Sequence, residues 1–254
     1  MQAAKWIDDV GVALLYPNGN YVLPSVWEQL TGHSDMDWDD PATWKAWGWK
    51  DELPARRLAC VGLHVVRTTS LVAPRLVAPL YALTEESRTS LDGLEAEIAD
   101  AAASLRRPAT RAELRLLVGT DKRSGDRAIN ALQRKLVLTN AGVDHESSHW
   151  GATLHDLFAR RWREKLRRVP DREHALAQLA FAIVRSAGEL SAADVAAALR
   201  IRRREATAAL ERLEAEGLAA PVRRDDLRLW SPADRGSSAR SRAAGSRSSP
   251  RRSP

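Results

Sequence analysis

The sequence predicts a mainly α-helical protein with small β wings, an α+β class built as tandem winged-helix domains. Two stretches, 88–150 and 171–232, each read as three helices followed by a hairpin. Both open their second helix on a hydroxyl residue with an acid three places later, Thr110 with Glu113 and Ser191 with Asp194. Both carry an apolar stripe at helical spacing in their third helix, ahead of a run that suits a strand.

In the first stretch, Leu91, Leu94, Ile98, Ala101 and Leu105 predict a helix over 88–104. Pro108 ends the approach. Thr110 and Glu113 form a capping box that starts a short helix through Leu117, and Gly119 breaks it. Ala128, Ile129, Leu132 and Leu136 predict a third helix over 122–136. Val137-Leu138-Thr139 reads as a strand, Asn140 and Gly142 lie near a turn, and a returning segment around Trp150 closes the wing.

The second stretch repeats the plan. Leu176, Leu179, Ile183 and Val184 predict a helix over 171–187, stopped by Gly188. Ser191 caps the next helix, which ends at Leu199. Ala206, Ala209, Leu210 and Leu213 place a third helix over 202–216, with Gly217 as its terminator. Residues 218–222 and 227–230 then read as two strands joined by Arg223-Arg224-Asp225-Asp226.

Residues 1–87 form a tryptophan-rich region, expected to be a partial or third winged helix. Trp6 to Leu15 suggests a helix leading into a short strand. Ser25 caps a short helix through Leu30, with Gln29 one place past the usual box position. His33 to Asp40 is an acidic loop, and Pro41 can open a helix running through Trp47. Another helix is expected over 55–66, with Cys60 buried in it and inert. Six of the nine tryptophans lie before residue 50, and most are expected to serve in core or interdomain packing.

Composition sets the partners. The chain has 254 residues and a formal charge of +6. The stretch Arg235–Pro254 holds six arginines and no acid, so the rest is balanced at 33 basic and 33 acidic residues. That stretch, within a tail over 233–254, reads as disordered, and DNA binding must rest on local clusters. A single cysteine excludes an internal disulfide and a cysteine metal cluster. The first twenty residues do not read as a signal peptide, and no run approaches the ~18 apolar residues of a membrane span. A cytoplasmic, nucleoid-associated protein is expected, with no membrane partner and no cofactor.

Several segments together resemble the AlkZ/YcaQ-like DNA glycosylases: Trp6 to Gly11, Leu23 to Glu28, Trp47 to Pro54, Thr68 to Val72 and Pro79 to Leu83. The resemblance spans roughly 5–230. It implies tandem winged helices that embrace duplex DNA and, in the enzymes, metal-free excision of bulky alkylated purines or unhooking of interstrand crosslinks. Those enzymes carry a Gln-x-Gln or Gln-x-Asp motif. Here the residues two places beyond Gln2, Gln29, Gln133 and Gln178 are Ala4, Thr31, Lys135 and Ala180. No catalytic residue carries over.

The expected partner is therefore double-stranded DNA, intact or damaged. The candidate contacts of the first stretch are Lys122, Arg123, Arg127 and Arg134, with Lys135 beside them. A basic linker over 151–170 adds Arg160, Arg161, Arg163 and Arg167, with Trp162 expected to pack against a helix. The second stretch supplies Arg200, Arg202, Arg203 and Arg204 at the start of its third helix, and Arg223, Arg224 and Arg228 in the wing. Glu205, Glu211, Glu214 and Glu216 argue against that whole helix lying in a groove. Two alternatives stand beside DNA binding. A glycosylase would need a water-positioning group, for which Asp144, His145, Glu146, His149 and Asp156 are candidates. His145, His149 and His155 lack the spacing of a zinc motif and read as ordinary turn or surface residues. The other alternative is a protein-interaction module, favoured by the neutral body.

Overall fold

The computed structural model describes residues 2–66, 68–146 and 151–233. It is mainly helical with small antiparallel hairpins, a winged-helix-type α+β arrangement.

The amino-terminal segment runs α1 (Gln2–Val10), β1 (Val12–Leu14), α2 (Val26–Thr31), α3 (Pro41–Ala55), β2 (Cys60–Gly62) and β3 (Ser70–Val72). Its three strands pair antiparallel in the order β1-β3-β2. The cap of α2 is a complete box: the Ser25 hydroxyl accepts from the Glu28 N–H at 3.1 Å, and the Glu28 carboxylate accepts from the Ser25 N–H at 2.7 Å. The box partner is thus Glu28, not the neighbouring Gln29. Asp40 caps α3 and Pro41 is its first residue, as expected of a fixed-φ residue without an N–H.

The helix expected over 55–66 is a strand instead. Pro54 and the left-handed Arg57 end α3, and Ala59 to Gly62 are all buried. A short apolar run buried on both faces has no period to separate strand from helix. Cys60 is buried as expected, but in that strand.

A 3-10 turn at Pro74–Leu76 leads into α4 (Val77–Leu83) and α5 (Glu85–Thr89). Then come α6 (Gly93–Ser104), β4 (Ala109–Thr110), α7 (Arg111–Leu117), α8 (Lys122–Arg134), β5 (Leu138–Asp144) and β6 (Ala152–Leu157), in a sheet of order β4-β6-β5. The helix expected from residue 88 starts later, because Asp92 and Glu95 form a capping box there. Thr110 and Glu113 cap α7 as read from the sequence. Asn140 lies within β5, where a register shift between Asn140 and Gly142 replaces the expected turn. Residues 152–157, placed in the linker by the sequence, are a strand of this sheet. Trp150 and His149 lie outside the described residues.

After α9 (Phe158–Arg161) and a 3-10 turn at Lys165–Arg167, the third segment runs α10 (Arg172–Ala187), α11 (Ala192–Leu199), α12 (Arg203–Ala215), β7 (Ala219–Arg224) and β8 (Leu227–Pro232). Leu190 bridges Trp230 on β8, where the other segments place their first strand. Ser191 and Asp194 complete the cap of α11. Arg223 and Arg224 belong to β7, so the turn narrows to Asp225-Asp226, with Asp225 left-handed.

Two joints hold the segments. One is apolar: Val12, Leu14 and Val77 share a core with Phe158, Trp162, Leu179, Ile183 and Trp230. Burial of that kind, at roughly 25 cal/mol per Å², makes the first and third segments one packed body rather than beads on a string. The other joint is polar and lies where α3 and β2 meet β5. There the Gly142 backbone approaches α3 so closely that a Cβ would lie 3.0 Å from the Ala55 Cβ.

Candidate nucleic-acid interface

The basic residues singled out from the sequence divide into free and engaged groups. On α8, Asp121 caps the helix by accepting from the Ser124 N–H at 3.0 Å. Ala128, Ile129 and Leu132 turn inward. That leaves Lys122, Arg123 and Arg127 exposed, and none meets a carboxylate among the described residues. On α12 the same logic applies. Ala206, Ala209, Leu210 and Leu213 are buried, and Arg203 and Arg204 are exposed without a carboxylate partner among the described residues. Arg202 is the N-cap residue. Its N–H donates to the Glu205 carboxylate at 3.0 Å, and its own side chain, which has donors and no acceptor, stays exposed.

The two helices converge. The carboxyl end of α8, with Arg134 and Lys135, and the start of α12, with Arg202, line one open groove of about 700 Å³ that also receives Arg172 and Arg200. Two of these cations are already paired: Lys135 with Glu95 at 2.6 Å and Arg172 with Glu205 at 2.9 Å.

Arg200 corrects the sequence reading. It does not begin the third helix. It caps α11 in the left-handed conformation and donates to the carbonyls of His64 and Arg134. The linker cations are also largely occupied. Arg160 Nε donates to Asp156 at 2.6 Å, and its Nη2 reaches the Arg107 carbonyl at 3.1 Å. Arg161 donates to the carbonyls of Pro54 and Ala55 at the end of α3. Desolvation and nearby Arg57 lower its pKa. Arg167 pairs with Glu164 at 2.8 Å, whereas Arg163 is exposed. Trp162 packs in the shared core as expected. In the wing, Arg224 is held by Glu189 at 2.6 Å and Arg228 by Glu214 at 2.7 Å, leaving Arg223 exposed.

The first segment presents different chemistry. Trp27 is in the core, but Trp38, Trp44 and Trp47 are 61%, 51% and 41% exposed, contrary to the expectation that most tryptophans there pack inside. Trp44 and Trp47 sit on α3, the position equivalent to α8 and α12. Asp35, Asp37 and Asp39 are exposed in the loop before it.

Sequence reading missed the polar groups buried at the second joint. His64 is buried, its Nδ1 donating to the Gln133 carbonyl at 2.9 Å and its Nε2 accepting from the Thr139 hydroxyl at 3.3 Å. Burial brings its pKa down to about 4. His155, expected on the surface, is buried and held at about 3 by desolvation, with Arg111 and Lys50 adding repulsion. Burial pushes the Cys60 thiol up to about 12, which disfavours the thiolate near neutral pH. Among the described residues no group of three His, Cys, Asp or Glu side chains could hold a metal ion, and no helix is long and apolar enough to cross a membrane.

No protein-family model matches the chain, and no curated protein matches it in sequence. Among solved structures it is similar to the DNA glycosylase AlkZ of Streptomyces sahachiroi, with a TM-score of 0.53 at 14% identity over 76% of this chain and 56% of that one. The chain thus spans a little over half the length of that protein, and the likeness is one of fold. A second match, the DIP2311 protein of Corynebacterium diphtheriae, has 20% identity over 76% of this chain and 39% of that one, with a TM-score of 0.23.

Proposed function

We propose that this protein binds duplex DNA through tandem winged helices, with α8 and α12 as the contacting helices. The observation that carries this reading is the groove where Arg134 of α8 and Arg202 of α12 meet, together with the exposed cations Lys122, Arg123 and Arg127 on the amino-terminal half of α8 and Arg203 and Arg204 at the start of α12. The order of helix, strand, two helices and hairpin in the first two segments, with the isolated Leu190–Trp230 bridge standing in for the strand of the third, supports three winged-helix units, at about 2–72, 93–157 and 172–232. The glutamates that follow are paired, Glu205 with Arg172, Glu216 with Arg212, and Glu211 and Glu214 with Arg228, so among the described residues the unpaired cations of α12 lie in its first turn. Such a surface clamps phosphates and reads few bases.

Exposed Lys122, Arg123, Arg127, Arg203 and Arg204 would displace about five counterions. Log affinity should then fall with log salt at a slope of roughly −4 to −5. The test is equilibrium binding of the full chain, and of a variant with its arginines beyond residue 234 changed to glutamine, to intact, abasic and alkylated duplexes across a salt series. A steep slope retained in the variant supports the reading, and loss of binding in the variant refutes it. Tighter binding to alkylated or abasic duplex would place the protein among lesion recognisers. Base release from the alkylated duplex would add glycosylase activity.

A second reading has its own observation. Trp38, Trp44 and Trp47, with the neighbouring aspartates, suit a protein partner better than a phosphate backbone. Changing Trp38 and Trp44 to alanine should leave DNA affinity unaltered, and a loss there would bring α3 into the DNA interface.

A further inference from the structure

The polar joint between the first and second segments lines an open cavity of about 200 Å³. Six of its polar lining residues come from four elements: Lys50 on α3, Arg111 on α7, Asn130 and Gln133 on α8, Thr153 and His155 on β6. No carboxylate lines it. Asp51 lies 2.5 Å from Lys50, and Asp126 lies 2.6 Å from Arg115 and 3.8 Å from Arg111. Three cations therefore face two carboxylates, and the surplus charge is positive.

His155 is 2% exposed, and neither of its ring nitrogens has a hydrogen-bond partner. Strand alternation puts Thr153 on the same face of β6. Across the sheet, Asn140 pairs with His155 and donates to the Lys50 carbonyl at 3.3 Å, fixing α3 against the strand. Buried polar groups are ordinarily satisfied, and an orphaned ring beside two cations marks a place where a ligand belongs.

We propose that this cavity binds a phosphoryl group, presented either as free phosphate or as the terminal phosphate of a nucleic-acid strand. Lysine and arginine supply charge, and the amides, hydroxyl and neutral imidazole supply uncharged donors. The donors come from four separate elements, and a phosphoryl group offers them more acceptor oxygens than the two of a carboxylate.

The test uses the full chain, titrated with inorganic phosphate against chloride at matched ionic strength and followed by calorimetry and thermal unfolding. Saturable binding and a raised Tm are expected, weakened about tenfold by Arg111→Gln at the rim of the cavity, as befits one lost charge-assisted contact. Thr153→Val, which keeps shape and removes a donor, provides a second variant should Arg111→Gln fail to fold. Duplexes with 5′-phosphate and 5′-hydroxyl ends then separate the sources. A preference for phosphorylated ends, competed by inorganic phosphate, assigns the strand terminus. Phosphate binding without such a preference assigns the free ion. Stabilisation no greater than that from chloride, or equal in the wild type and both variants, overturns the proposal. Phosphate binding is read without DNA, so its failure is distinct from failure of duplex binding.

Discussion

Arg200 donates to the backbone carbonyl of His64 at 3.0 Å, joining the third segment to the first. The same Nη2 reaches the Arg134 carbonyl at 3.2 Å, so one guanidinium touches all three segments. Its backbone is left-handed, with φ of 55°. Arg200→Ala should cost about 1–2 kcal/mol, the low end for charged hydrogen bonds because the side chain is exposed. Arg200→Gly loses the same bonds but relieves a left-handed backbone worth roughly 1 kcal/mol. Denaturant midpoints should therefore rank wild type, then glycine, then alanine.

Arg203 and Arg204 should behave oppositely. Both are exposed, so replacing the pair with alanine should leave Tm essentially unchanged. Affinity for duplex DNA should fall similarly on every sequence, and the salt slope should shrink by about 2. An unchanged slope would move the DNA interface away from α12.

Arg160 tests the difference between a phosphate contact and an internal strut. It neutralises Asp156, which is buried. Arg160→Ala strands that carboxylate and should destabilise the fold by about 2 kcal/mol, with no change in the salt slope of DNA binding.

The buried histidines predict acid sensitivity. His64 and His155 titrate near 4 and 3 in the folded protein, below the ordinary 6.5. With a depressed folded pKa, the unfolded chain takes up the proton first. Stability is then complete above pH 6.5 and declines as pH falls towards the folded values. The slope should approach about 1.4 kcal/mol per pH unit for each ring. Unfolding followed from pH 7 to pH 4.5 should show this loss, and His155→Gln should remove about half of it.

A sequence-local signal sufficed for much of the fold. The boxes Thr110–Glu113 and Ser191–Asp194, and the apolar stripes of α8, α10 and α12, lie within a few residues of what they specify. Their helices form where expected. The strand at Cys60–Gly62 was illegible because an apolar run buried on both faces carries no periodicity.

The sequence by itself thus determined the helices within 93–134 and 172–215, the capping boxes at Thr110 and Ser191, and the surplus of arginine. Only the tertiary structure decided which arginines remain free, because Arg160, Arg161 and Arg200 reach backbone carbonyls 53 to 136 residues away along the chain. It also decided that His155 is buried beside Lys50 and Arg111 rather than exposed on a wing. Caps and stripes act through neighbours in sequence, whereas charge pairing and burial act through neighbours in space.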